Sequence, residues 1–260
     1  MISYNICGLR NLQRVSELAV FLSRRQPSIV VIQEPKLDHR SLIPTNKNKT
    51  QWKPRTPSTI PKFSKYQGYH FTHPTEPTGI VMYVHETCMA QPLQTPHHSN
   101  PYRPTLTRTL AAYMWVSSPM LASPIVVGGI YLHSELIEDD VRKLAEGVSQ
   151  AQRPSWLAAS SPPLPIFLIG DFNARHPSWD SLVQDSVTPP VTGRWVNTHL
   201  IAPTAQAIHP TLPRLTLLNT CFTPSRYVAT HTDPDGDSTI DLALTSLFNS
   251  CHAWMFSRGR

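Results

Sequence analysis

Cysteine is sparse in this chain: Cys7, Cys88, Cys221 and Cys251 stand far apart, with no C-x-x-C pair among them. That spacing excludes a zinc knuckle and offers no disulfide framework, so the four read as ordinary buried thiols. No apolar run approaches the roughly 18 residues needed to span a membrane. The start, Met1-Ile2-Ser3-Tyr4-Asn5, has neither a basic n-region nor a long apolar stretch, so no export is expected and the thiols are expected to stay reduced inside the cell. There is no internal repeat and no heptad. Acidic groups are outnumbered, 17 against 23 Lys and Arg, for a formal charge of +6 and a sequence pI near 9.3. Such a balance favours an anionic partner such as nucleic acid. With 40% hydrophobic and 8% aromatic residues over 260 positions, the chain has enough apolar material for one large domain and is not globally disordered.

Proline is plentiful, 26 residues against 10 glycines, about twice average usage. It clusters at Pro54, Pro57 and Pro61, at Pro92, Pro96, Pro101 and Pro104, at Pro162, Pro163 and Pro165, and at Pro189 and Pro190. Because proline is excluded from helix interiors and central strands, these clusters mark long connections between strand-like runs. Leu12, Val15, Leu18, Ala19 and Leu22 predict an amphipathic helix over 11–25, ended by Pro27. A second helix is expected over 135–150. Strands are expected at 28–34, 79–85, 110–117, 125–133, 164–170, 215–219, 227–230 and 239–245. Many strands with few helices fit a β-sandwich flanked by helices better than a doubly wound parallel sheet. Residues 39–78 form a basic, proline-rich loop insertion: eight Lys and Arg against one acid between Lys36 and His70, interleaved with Trp52, Phe63, Tyr66 and Tyr69. That composition suits either a solvated loop or a track for a phosphate backbone whose bases meet the aromatics.

Several strand ends carry polar groups that packing does not explain: Asn5, Glu34, the pair Asp171 and Asn173, and Asp241. In Phe167-Leu168-Ile169-Gly170-Asp171-Phe172-Asn173 the apolar strand is expected to stop at the glycine and to present an acid and an amide two residues apart, able to serve one cleft. An Asx-turn after a strand is the plainer reading of that string taken alone.

Together these residues resemble the endonuclease/exonuclease/phosphatase superfamily, and most closely the apurinic-endonuclease-like nuclease domain of non-LTR retrotransposons. The segments that carry the resemblance, in order, are Asn5-Ile6-Cys7-Gly8-Leu9, Gln33-Glu34-Pro35-Lys36-Leu37, Gly79-Ile80, Gly129-Ile130-Tyr131, the ten residues from Gly170 to Trp179, and Ser238-Thr239-Ile240-Asp241-Leu242. The resemblance implies an α/β, four-layer αββα sandwich of the DNase-I-like kind, spanning 1–260 as a single domain. It also implies a phosphodiesterase that nicks DNA and leaves a 3′ hydroxyl. Glu34 would be the direct ligand of Mg²⁺, or of Mn²⁺ in its stead, with Asn5 beside it, since a hard cation prefers oxygen donors. Asp171 would orient and activate the attacking water, Asn173 would hydrogen-bond a phosphate oxygen, and Tyr131 would support the leaving oxygen or the phosphate. His176 and Trp179 are either DNA contacts or a packed helix start. Thr230 and Ser238 are hydroxyls that touch phosphate or cap turns. Neither a membrane nor a small-molecule cofactor is implied. A nuclear site of action and a reverse transcriptase on a longer parent polyprotein are.

The chain also departs from that pattern. Cys7 stands where many relatives carry Asn or Asp. In relatives a closing Ser-Asp-His motif follows the Asp241 position and supplies a histidine that Asp241 would steer. Here only His252 lies downstream, without that context, so the domain is expected to be C-terminally incomplete and to lack its final strand. Loss of such a general acid or base typically slows chemistry about 10²- to 10⁴-fold. A catalytically silent nucleic-acid-binding remnant, and a phosphatase of the same superfamily, are the alternative readings. Asp233, Asp235 and Asp237 imitate a calcium loop but lack its twelve-residue frame and closing Glu, so a polar hairpin is expected there.

Overall fold

The structure is a computed structural model that describes residues 1–5, 9, 11–35, 42–44, 50–52, 60–72, 79–93, 109–133, 137–179, 191–218, 231–233, 236–238 and 241–246, positions 4, 5, 42–44, 50–52, 72, 109, 231–233, 236–238 and 241 by backbone alone. It comprises two compact units, residues 1–88 and 89–260.

The first unit opens with β1 (Ile2–Asn5) and crosses over through α1 (Leu12–Arg25) to a parallel neighbour, β2 (Ile29–Gln33). Asn11 caps the helix, its Oδ1 accepting the backbone N–H groups of Gln13 at 2.9 Å and Arg14 at 3.4 Å. Arg24 and Arg25 sit at the negative end of the helix dipole. Gln26 then turns into the left-handed region at φ 43° and Pro27 follows. Leu18 and Leu22 bury the inner face of α1 among Val30, Ile32, Val81 and Tyr83. The sheet runs β1-β2-β6-β5, with β5 (Tyr66–Thr72) and β6 (Gly79–His85) both antiparallel additions. A separate hairpin joins β3 (Leu42–Pro44) and β4 (Thr50–Trp52).

The segment 39–78 is therefore not loop throughout, and its aromatics explain why. Phe63 packs edge-on to Tyr83 at 4.9 Å between centroids. The Tyr66 hydroxyl donates to the Pro27 carbonyl at 2.9 Å, and the Tyr83 hydroxyl to the Pro61 carbonyl at 3.0 Å. These contacts pin the end of the basic segment to the unit, so Phe63 and Tyr66 are committed to packing. Most of the basic side chains, from Lys36 to Arg55, lie outside the described residues.

The second unit holds a six-stranded sheet in the order β11-β14-β10-β9-β8-β7. Its strands are β7 (Met89–Leu93), β8 (Thr109–Ser117), β9 (Ile125–Leu132), β10 (Ile166–Asp171), β11 (Thr216–Leu217) and β14 (Asp241–Thr245). Only β9 and β10 run parallel, joined by α2 (Glu138–Ala151). Val141, Leu144, Ala145 and Val148 of α2 pack with Val126, Ile130, Ile166, Leu168, Leu242 and Leu244. Gly128 leaves room for Leu168 and the Tyr113 ring in that layer. β7 escaped the sequence reading because Pro92 interrupts it. It is the outermost strand, where the missing N–H is tolerated. The polar hairpin is present as β12 (His231–Asp233) and β13 (Gly236–Ser238). The strand expected at 227–230 lies outside the described residues, as do Cys7 and everything after Ser246.

Sequence periodicity also missed α3 (Val191–Val196), the π-helical turn Asn197–Ile201 and α4 (Ala205–Ile208). They are short and are held by tertiary contacts. His199, buried, bonds the Glu138 carboxylate through Nε2 at 3.0 Å and faces Nε2 of His209 with its Nδ1 at 3.1 Å. A carboxylate only accepts, so His199 carries its proton on Nε2 and its Nδ1 accepts from His209. Among the described residues no helix is long and apolar enough to cross a membrane.

Candidate functional site

In the second unit, three of the residues singled out from sequence fall in one row across neighbouring strands. Asp171, the last residue of β10, is the register partner of Tyr131 on β9 and of Asp241 on β14. Alternation turns Val126, Ile130, Ile166 and Leu168 toward α2, and hence Tyr131 and Asp171 to the opposite face of the sheet. Both are buried, at 8% and 3% exposure. The strand does not stop at Gly170 but runs through it: at φ 154° a Cβ there would collide with the Ile130 carbonyl. Glycine thus lets β10 approach β9 closely enough to bring Asp171 level with Tyr131.

The Asx-turn is present too. Asp171 Oδ1 accepts the Asn173 backbone N–H at 2.9 Å, and Asn173 adopts a left-handed φ of 43°, which asparagine tolerates. The Asn173 side chain donates from Nδ2 to the Leu132 carbonyl at 2.6 Å. One amide N–H is thereby used to tie the turn to the end of β9, and the second remains as a donor.

Beyond the turn, Phe172, Ala174 and Trp179 are fully buried. The Trp179 indole N–H donates to the Ala174 carbonyl at 3.0 Å. The His176 ring stacks on Trp179 with centroids 4.9 Å apart, and its Nδ1 accepts the Ser178 N–H at 3.1 Å. His176 is thus held as the Nε2–H tautomer, and burial lowers its pKa from the ordinary histidine value. Gly193 of α3 presses against this loop, where a Cβ would strike the Arg175 carbonyl.

In the first unit, Asn5 and Glu34 both stand at the C-terminal ends of parallel strands: Asn5 is the register partner of Gln33, and Glu34 follows directly. Glu34, half-buried, has a left-handed φ of 48°, a conformation that costs a non-glycine residue about 1–3 kcal/mol and concentrates at functional positions. Pro35 is buried against Gly79, and its carbonyl accepts the Leu9 N–H at 2.7 Å. The turn after β2 is thus fixed on both sides.

Gln33, quoted from sequence in the segment that holds Glu34, was given no role there. It is fully buried at the end of a strand otherwise made of Ile29, Val30, Val31 and Ile32, and its Nε2 donates to Ser3 Oγ at 2.7 Å. Its Oε1 has no hydrogen-bond partner among the described residues, an omission that costs about 1–3 kcal/mol in a buried carbonyl. A polar residue closing an all-apolar strand was the available signal.

The side chains of Asn5, Asp241 and Ser238, and all of Thr230, lie outside the described residues. Among the described residues no group of three His, Cys, Asp or Glu side chains converges as a metal cage. A divalent cation here would depend on water and substrate oxygens for the rest of its shell, as Mg²⁺ commonly does. The Glu34 carboxylate is an oxygen donor of the kind such a hard ion takes.

The family model described as "Endonuclease/Exonuclease/phosphatase family" matches residues 2–254. The fold, mixed α/β with two sheets, is similar to solved DNase-I-like structures. The endonuclease domain of TRAS1, a telomere-specific non-LTR retrotransposon, is 15% identical at a TM-score of 0.55, over 95% of this chain and 84% of that one. ANGEL2, a 2′,3′-cyclic phosphatase, is 14% identical at 0.56, over 95% and 82%. TDP2 of D. rerio, complexed with a single-strand DNA product, is 13% identical at 0.51, over 94% and 82%. No curated protein sequence matches the chain.

Proposed function

Because the chain belongs to the endonuclease/exonuclease/phosphatase family, whose members hydrolyse phosphodiesters or phosphate esters, we propose that it is a Mg²⁺-dependent DNA endonuclease that leaves a 3′ hydroxyl. The observation that carries the reading is the row Tyr131, Asp171 and Asp241 on three adjoining strands, with Asn173 anchored beside it. Asp171, held by its turn, orients a water and takes its proton as that water attacks phosphorus. Asn173 keeps an amide N–H for a non-bridging phosphate oxygen. The Tyr131 hydroxyl steadies the phosphate or the departing oxygen, and Asp241 supplies a second carboxylate in the row. Glu34 and Asn5 are the residues that would hold the Mg²⁺, which when bound neutralises charge on the phosphoryl oxygens.

DNA is preferred over a small phosphate ester because of the +6 net charge and the similarity to a retrotransposon endonuclease domain. Its place of work would then be the nucleus, with a reverse transcriptase as its functional companion. The test is nicking of supercoiled plasmid by the folded protein with Mg²⁺, with EDTA, and after Asp171→Ala. Metal-dependent nicking that disappears in Asp171→Ala is expected. Failure to nick, together with release of phosphate from small phosphate esters, would move the chain to the phosphatase branch.

A further inference from the structure

α3, six residues long, is too short to hold itself and is anchored at both ends. Near its start Gly193 lies so close to the Arg175 carbonyl that no Cβ fits between them, and Thr192 Oγ1 stands 3.5 Å from the Asn173 carbonyl. α3 thus backs the loop that carries Asn173, His176 and Trp179. At its end the chain runs straight into the π-helical turn, where buried His199 is fixed between the half-exposed Glu138 of α2 and buried His209 at the end of α4. That fixture depends on the number of protons it holds. His199 donates from Nε2 to the carboxylate at 3.0 Å, and the two rings, with nitrogens 3.1 Å apart, need one donor and one acceptor between them. One added proton is tolerated, because a neutral His209 can change tautomer and accept from a charged His199. Two are not: both facing nitrogens are then donors, and two like charges share a buried place. Among the described residues, the charged groups that bear on His209 are His199 from the π-helical turn and Arg142 and Glu146 from α2, Arg142 being paired in turn with Asp139 at 3.2 Å. Burial, His199 and Arg142 lower the His209 pKa and Glu146 opposes them, so the closed arrangement resists the second proton and the parted rings take it readily.

We propose that the His199–His209 pair is an acid-sensitive latch on the candidate site: while the rings share a hydrogen bond, α3 backs the loop from Asn173 to Trp179, and when both rings are charged the pair parts, α3 comes away and the loop loses its backing. Histidine is the side chain whose charge changes in mild acid, and a packed element biased by that charge converts it into a structural change. The catalytic consequence, loss of hydrolysis in mild acid, rests on the function proposed above; the loosening of the loop does not.

The test is hydrogen exchange of the intact 260-residue protein, followed by mass spectrometry at about pH 7.5 and about pH 5 and corrected for intrinsic rates, for wild type, His209→Gln and Glu138→Gln. In wild type the peptides over 171–179 and 191–201 are expected to lose protection at least about tenfold in acid while β9 keeps its own. His209→Gln keeps an N–H for His199 but takes no proton, and is expected to hold the loop at about pH 5 as at about pH 7.5. Glu138→Gln removes the charge that offsets the protonated pair, and is expected to release the loop at a higher pH than wild type. An acid loss equally large in His209→Gln overturns the proposal and assigns the change to a group in the loop itself, such as His176. Unchanged loop protection in acid, or a loss shared by β9, overturns it as well. Should His209→Gln fail to fold, Glu138→Gln decides, and an unshifted release overturns the latch. Plasmid nicking is recorded on the same samples: the expected exchange pattern with no nicking at either pH supports the latch and overturns the nuclease reading alone.

Discussion

At Asp171 the carboxylate already has a structural task, accepting the Asn173 N–H at 2.9 Å, so two substitutions separate structure from chemistry. Asp171→Asn keeps an acceptor for the turn but cannot take a proton. Nicking is expected to fall about 10²- to 10⁴-fold with little change in unfolding temperature. Asp171→Ala is expected to lose the same activity and, in addition, about 1 kcal/mol of stability from the broken turn, read from urea unfolding. Asp171, Asn173 and Glu34 were legible in the sequence because an acid or amide at the end of an apolar strand has no packing explanation. Gln33 was not, because one amide beside a more conspicuous glutamate reads as part of the same polar strand end. His176 was ambiguous for the opposite reason: a histidine three residues before a tryptophan is compatible with stacking and with contact to a ligand, and the structure shows the stacking.

The elements read most faithfully were those that announce themselves locally. α1 carries a capping Asn11 at one end and Pro27 at the other, and β6 coincides with its apolar run from Gly79 to His85. α2 begins later than its periodicity suggested, at Glu138, where an acidic first turn favours the positive end of the helix dipole. α3 and α4 were beyond such reading, since helices of six and four residues are stabilised by their neighbours and not by their own pattern, whereas β11 falls within the strand expected at 215–219. Two glycines locate those neighbour effects. Gly170→Ala is expected to destabilise the second unit by more than about 2 kcal/mol, since both its φ and the Ile130 carbonyl forbid a side chain. Gly193→Ala should likewise loosen α3 from the loop at Arg175, and increased proteolysis after residue 190 would report it.

For the whole molecule, charge and protonation set the response to solution conditions. The His199–His209 pair is satisfied with one proton between the rings and one directed at Glu138. The His209 pKa is lowered, first by burial and then by the charge of His199, with Arg142 acting in the same sense and Glu146 against it. A histidine whose folded value lies below its unfolded one adds stability above the unfolded pKa, near 6.5, and loses it as pH falls through the folded value. The urea midpoint is therefore expected to drop as the pH falls below about 6.5, and His209→Gln to flatten that drop. The +6 net charge predicts DNA affinity that weakens as a power of salt concentration, measurable by fluorescence anisotropy. An affinity indifferent to salt would remove DNA as the substrate.

Pro92 is the fourth of the five residues of β7, the last strand on its side of the six-stranded sheet among the described residues, opposite Met114 on β8. An outermost strand is where another chain can add itself to a sheet, and a residue without an N–H interrupts such a ladder one position before this strand ends. The proline that hid this strand from sequence reading therefore also limits colloidal growth. Pro92→Thr would restore an uninterrupted template, and light scattering at high concentration is expected to show more self-association in that variant than in the natural sequence.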